Sequence, residues 1–205
     1  MTSLSAPIDI FRAALPMIGG SVPSSLDDQN DEAFAFNSQY EMIVEEALCR
    51  HAWGFATTRA TLAYQGTTSD NPAYQYSIPA GVLTIRKAFL SLAPFVAFEL
   101  RGGAFLCDVS ETTEIQILYN WRAGESDWPA DFAMAIVYKV ASALARGLLD
   151  RATQADNLDV TAERKFRAAM ARDRQASGTV QAFKSPLGDR WRGTGTRGVN
   201  TVVAS

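Results

Sequence analysis

A chain of 205 residues, 47 % hydrophobic and 20 % charged, suits one domain with an appendage and holds enough apolar material for a core that needs no staple. The net charge of −3 is unevenly spread: residues 1–52 carry two basic and eight acidic side chains, residues 53–150 seven and nine, and residues 151–205 ten and five. The widely separated Cys49 and Cys107 form no CxxC pattern, so neither a disulfide framework nor a cysteine zinc site is expected, and no apolar run approaches the roughly 20 residues that a helix needs to span a bilayer.

The N-terminal segment lacks a basic n-region and an apolar h-region, so no signal peptide is expected and a reducing compartment is the default. Ile8, Phe11, Leu15 and Ile18 recur three and four apart, predicting a short helix over 8–18, with Pro7 in its first turn and a stop or kink at Pro16. After a Ser- and Asp-rich loop, a second helix is predicted over about 30–51. Ala33, Phe36, Tyr40, Ile43, Ala47 and His51 define its inner face, and Phe34, Val44 and Leu48 widen it. Asp31 and Glu32 suit its positive N-terminal end.

Helical spacing then gives way to strands. Residues 57–64 read as one strand, followed by a loop over 65–72. Residues 73–78 alternate, and 82–90 form another strand. Residues 96–100 and 104–107 flank Arg101-Gly102-Gly103 as a hairpin. Ile115, Ile117, Tyr119 and Trp121 keep a period of two. A third helix is predicted over about 130–150, with Phe132, Ile136, Val137, Val140, Leu144, Leu148 and Leu149 inward. A fourth follows over about 156–176, with Leu158, Ala162, Phe166, Ala169 and Met170 inward and alternating charges outside. The fold class expected is α+β: a bundle of N- and C-terminal helices, a central antiparallel β insertion over about 55–127, and an extended C-terminal arm. Residues 1–177 make one domain and 178–205 the arm.

The sequence carries few residues in patterns that support chemistry. His51, the single histidine, ends a helix, where a donor suits the exposed carbonyls. It lies two residues from Cys49, a spacing that does not bring helix side chains face to face. Cys107 reads as core. Asp27-Asp28, Asp31-Glu32 and Glu45-Glu46 are adjacent pairs that diverge around a helix, and so read as solvated faces. No GxSxG, GxxxxGK[ST], HExxH or GxGxxG occurs. No enzyme activity, metal or cofactor is expected. Trp53, Phe55, Trp121 and Trp128 sit at junctions between helical and strand segments and read as filling that seam, with nucleobase stacking as the alternative. In the arm, Phe183, Lys184, Pro186, Leu187, Arg190, Trp191, Arg192 and Arg197 lie in glycine-rich sequence without helical period. Three readings stand: a solvated end, an arm ordered in a partner's groove with rings as anchors and arginines as charged contacts, or an Arg-Gly nucleic-acid tail.

The order of these segments resembles a family. The stretch from Ala47 to Ala63, a helix end followed by Trp53-Gly54-Phe55-Ala56 and Arg59-Ala60-Thr61-Leu62, is similar to the corresponding stretch in the head-to-tail adaptor (connector) proteins of tailed bacteriophages, including tail tubular protein A, and of gene transfer agents. Tyr74-Gln75-Tyr76-Ser77-Ile78-Pro79-Ala80 resembles an aromatic strand that in the family ends Leu-Pro-Ala-Asp; here Ile78 and Gly81 replace the Leu and the Asp. Ile117-Leu118-Tyr119, then Trp128-Pro129-Ala130-Asp131-Phe132, resembles the opening of the third helix, and residues 141–149 its Ala-Leu-Ala continuation. The resemblance implies a structural subunit of a ring, usually of twelve copies, in the virion neck, assembled in the host cytoplasm. The ring joins the portal protein to the next tail component (nozzle or stopper), and genomic DNA passes through its lumen without sequence-specific binding. It assigns portal docking to the arm residues just named. Opposite charge at the chain's two ends is expected to help neighbouring copies pair, the acidic early helices of one against the fourth helix of the next. A nucleic-acid-binding module using the basic back end is the rival reading, and an unrecognised enzyme a third.

Overall fold

A computed structural model describes residues 4–69, 72–90, 96–110, 113–148 and 151–176. The fold is α+β, with four α-helices and two antiparallel sheets among the described residues. Helix α1 (Pro7–Ala14) buries Ile10, Phe11 and Ala14. Pro16 lacks an N–H, and the helix tightens there into a 3-10 turn, Leu15–Ile18, closed by Gly19 at φ 81°. Helix α2 (Asp31–Cys49) starts where Asn30 caps the Ala33 N–H at 2.7 Å, with Asp31 and Glu32 in its first turn. Its buried face is Ala33, Phe36, Tyr40, Val44, Ala47 and Leu48. Phe34, expected to widen that face, instead points to solvent and is 77 % exposed.

The strands are β1 (Thr57–Thr61), β2 (Ala63–Thr67), β3 (Tyr74–Ser77), β4 (Val82–Leu90), β5 (Glu99–Arg101), β6 (Ala104–Cys107) and β7 (Ile115–Trp121). They form a three-stranded sheet in the order β1-β7-β4 and a four-stranded sheet in the order β2-β3-β6-β5. The single strand expected over 57–64 is therefore two strands in different sheets, and the expected loop from 65 is strand as far as Thr67. The chain changes sheets at Leu62, whose N–H still bonds the Ile115 carbonyl at 2.9 Å. No turn residue marks the change, so the apolar alternation runs through it. The β5–β6 hairpin turns on Gly102 and Gly103, at φ 58° and 77°, the left-handed pair that a tight two-residue hairpin requires.

Helix α3 (Ala130–Leu148) packs against α1, α2 and α4 (Ala152–Ala176), most extensively against α4. Helix α4 begins four residues before the predicted 156, because Ala155 contributes to the interface that the large apolar residues alone did not reveal. Ala155, Ala162 and Ala169 recur every seven residues on its buried side, and such small side chains let two helix backbones approach closely. The Ser142 hydroxyl donates to the Ala155 carbonyl across this contact at 2.8 Å, and Lys139–Asp159 and Arg146–Asp156 pairs flank it.

Two cores result. The larger joins the helices with Trp53, Ala56, Ala123 and Trp128. The smaller lies among the strands, where Leu62, Tyr76, Ala88, Phe105, Cys107, Ile115 and Ile117 pack together. Strand β7 serves both: Ile115 and Ile117 belong to the smaller core, while Trp121 packs on the larger one.

Candidate functional site

The densest polar constellation sits where α2 meets the first sheet. A helix ends with carbonyls that have no partner within it and that carry partial negative charge. Here β4 and β7 supply the donors. One Arg86 nitrogen, Nη2, donates to the Cys49 carbonyl at 2.7 Å and the His51 carbonyl at 2.9 Å. Asn120 Nδ2 donates to the Leu48 carbonyl at 2.5 Å and the His51 carbonyl at 2.6 Å, and its Oδ1 accepts from Arg86 Nε at 3.1 Å. Trp53 Nε1 donates to the Ala47 carbonyl at 3.0 Å. The His51 ring, expected to serve these carbonyls itself, turns away: Nε2 lies 3.0 Å from Asp173 Oδ2 on α4, while Asp173 Oδ1 accepts the Gly54 N–H at 2.9 Å. Arg86 and Asn120 are not among the residues expected from the sequence to form a site. Their signal was present, since each is a polar side chain on the opposite strand face from its apolar neighbours.

A second constellation joins α2 to the segment before α3. Glu125 accepts from the Tyr40 hydroxyl at 2.8 Å and from Arg122 Nη2 at 2.6 Å. Arg122 also holds Glu41 at 3.0 Å and lies over the Trp128 ring. Burial, then donation to Glu125, pushes the Tyr40 phenol well above its usual range. Burial acts to raise the Glu125 pKa, but bonds from Arg122 and Tyr40 outweigh it and hold the carboxyl below its ordinary value. A group depressed in the folded state stabilises above its unfolded pKa and loses that contribution as pH falls through the folded one. Glu125→Gln is therefore expected to cost about 1–2 kcal/mol at neutral pH, with the gap to the parent narrowing as pH falls below about 4.5. Urea midpoints of both proteins across this range provide the measurement, and a gap independent of pH would contradict the assignment.

Neither constellation has the form of a reaction centre. Burial raises the thiol pKa of both Cys49 and Cys107, which suppresses the nucleophilic thiolate. A cleft of about 210 Å³ is lined by Trp53, Pro129, Phe132 and Ala169, with Asp131, Arg172 and Asp173 at its edge. These charges are engaged: Arg172 pairs with Asp131, and Asp173 holds His51 and Gly54. Among the described residues no group of three His, Cys, Asp or Glu side chains could hold a metal ion, and no helix is long and apolar enough to cross a membrane. The junction aromatics lie inward: Trp53 is 1 % and Trp128 8 % exposed, and Phe55 and Trp121 pack on the same core. The expected docking residues Phe183, Lys184, Pro186, Leu187, Arg190, Trp191, Arg192 and Arg197 lie outside the described residues.

No protein-family model matches this chain, and no curated protein does.

Proposed function

We propose that this chain is a structural adaptor subunit of a tailed-phage head-to-tail connector. In this reading its helices from both chain ends form one bundle, its β segment is an insertion, and residues 178–205 are an arm that docks on the portal. The supporting observation is that the polar side chains of the seam are used to hold elements together. Arg86 and Asn120 close the end of α2, and His51 and Asp173 tie α2's exit to α4. Of the segments that resemble the adaptor family, the one that opens at Trp53 joins this seam, through Trp53 on the Ala47 carbonyl and the Gly54 N–H on Asp173. A ring subunit needs such a rigid body more than it needs a cavity, because it transmits position between two partners. The rival reading, a nucleic-acid-binding module, draws on the basic residues after Arg151.

The deciding experiment is a reconstruction of the particle neck by electron microscopy. A closed ring of this chain beneath the portal is expected, with the arm on the portal surface. A neck without this chain would refute the proposal. At the level of the arm, Trp191→Ala should weaken portal binding in a pull-down more than Thr194→Ala, because a buried ring contributes more than a small polar group. Equal effects would remove the arm from the docking role.

A further inference from the structure

Two helices expose faces that complement each other. On α2, Asp31, Phe34, Ser38, Glu41, Met42 and Glu45 are all exposed. At about 100° per residue they share an arc of roughly 100°. Phe34 is 77 % and Met42 65 % exposed, two large apolar side chains among carboxylates. On α4, Val160, Arg164, Arg167, Ala168, Ala171 and Arg174 are exposed, within an arc of about 120° by the same spacing.

The sign of the α4 face follows from where its acids go. Asp156 pairs with Arg146, Asp159 with Lys139, Glu163 with Arg50, and Asp173 with His51. All four acids of the helix are thus engaged by other elements, and the outer face keeps only arginines. Arg164, Arg167 and Arg174 make no hydrogen bond or ion pair with described residues, and neither do Asp31 and Glu45. Helix α3 packs on both α2 and α4, which share little direct contact, so the two faces cannot satisfy each other within one copy.

We propose that the α2 face of one copy docks on the α4 face of a second copy. The occupant follows from the match in both charge and shape. Val160, Ala168 and Ala171 leave a shallow apolar track between arginines, where Phe34 and Met42 can bury. The arginines meet Asp31 and Glu45, and a guanidinium can also lie over the Phe34 ring. A duplex nucleic acid would use the arginines but gives no partner to Phe34 or Met42. Two different faces on one chain make a heterologous contact, which propagates from copy to copy and closes when its rotation permits. The inference rests on the ring reading above and assigns the surfaces that build the ring.

The test uses the full chain in sedimentation velocity at about 50 mM and about 500 mM salt, where screening separates charged contacts from others. Arg164→Glu with Arg167→Glu, and separately Asp31→Arg with Glu45→Arg, should each weaken self-association at least about tenfold, since like charges then face each other. The four substitutions combined in one chain should restore it. Circular dichroism should be unchanged for all, because every position is exposed, and melting should be unchanged apart from a small drop wherever Asp31→Arg sets a cation at the positive end of α2. Association that ignores both swaps overturns the pairing. So does loss of duplex-DNA affinity in Arg164→Glu/Arg167→Glu with association intact, which gives the α4 face to nucleic acid. The two readings also separate in a neck reconstruction: a ring whose neighbours meet through other elements refutes the pairing alone, whereas swap-sensitive association with no ring in the neck refutes the adaptor reading alone.

Discussion

Asn120→Leu is expected to lower the stability of the protein by about 3 kcal/mol, although leucine is similar in size and more apolar. Asn120 is fully buried, and its amide faces the carbonyls of Leu48 and His51 while its oxygen faces Arg86. The opposite amide orientation would set oxygen against two carbonyls and nitrogen against a guanidinium, so the network itself fixes the assignment. Leucine leaves the Leu48 carbonyl and the Arg86 Nε without this partner in a buried seam, and each such group costs about 1–3 kcal/mol. Asn120→Asp tests whether the donor is what matters. Aspartate keeps the shape and gains attraction to Arg86, but an ionised carboxylate only accepts, and it would confront two acceptors. Both variants should therefore be destabilised at pH 7 by urea titration. If Asn120→Asp matches the parent, the Arg86 contact carries the seam and the amide donors do not.

The parts of the fold that were legible in the sequence are those with a local physical signature. Strand β7 over 115–121 and the Gly102-Gly103 turn follow from alternation and from residues that tolerate positive φ. The tightening at Pro16 follows from the missing N–H. What was not legible depends on contacts distant in sequence. Leu62 passes the chain between sheets because it is buried against Ile115 and its neighbours, and nothing in Thr61-Leu62-Ala63 marks a break. The first turn of α4 is set by Ala155 meeting Ser142, a contact of small residues that a search for large apolar side chains overlooks. Phe34 lies one residue beyond the buried Ala33, and helical spacing alone does not say on which side the apolar stripe ends. His51, expected on the inner face of α2, lies two residues past its end and faces Asp173 on α4, because the donors that close that helix come from β4 and β7. Arg86 and Asn120 were legible as unusual strand residues, yet only the meeting of sheet and helix shows their use.

Phe132→Ala is expected to be the most damaging single truncation of the helical core, at about 3–5 kcal/mol. Phe132 is fully buried at the first turn of α3. Its ring centroid lies 4.9 Å from Trp53, 5.0 Å from Phe55, 5.1 Å from Trp128 and 6.0 Å from Phe166, all in edge-on geometry. These four rings come from the exit of α2, the lead into β1, the start of α3 and the middle of α4, so one side chain joins four segments of the chain. Edge-on pairs add about 0.5–1.5 kcal/mol each beyond area burial, and alanine removes all of them at once. The loss has a further structural consequence. Phe132 lines the cleft beside Pro129 and Ala169, so its removal connects the space it vacates to solvent through that opening. Water should then reach Trp53 and Trp128, and tryptophan emission of the folded variant should shift to longer wavelength. Phe132→Leu keeps most of the volume and should cost less than half as much, with emission close to that of the parent. Guanidinium titration followed by both fluorescence and circular dichroism measures the loss. A Phe132→Ala protein that loses less than about 1 kcal/mol, or whose emission is unshifted, would mean that the aromatic cluster holds together without its central ring.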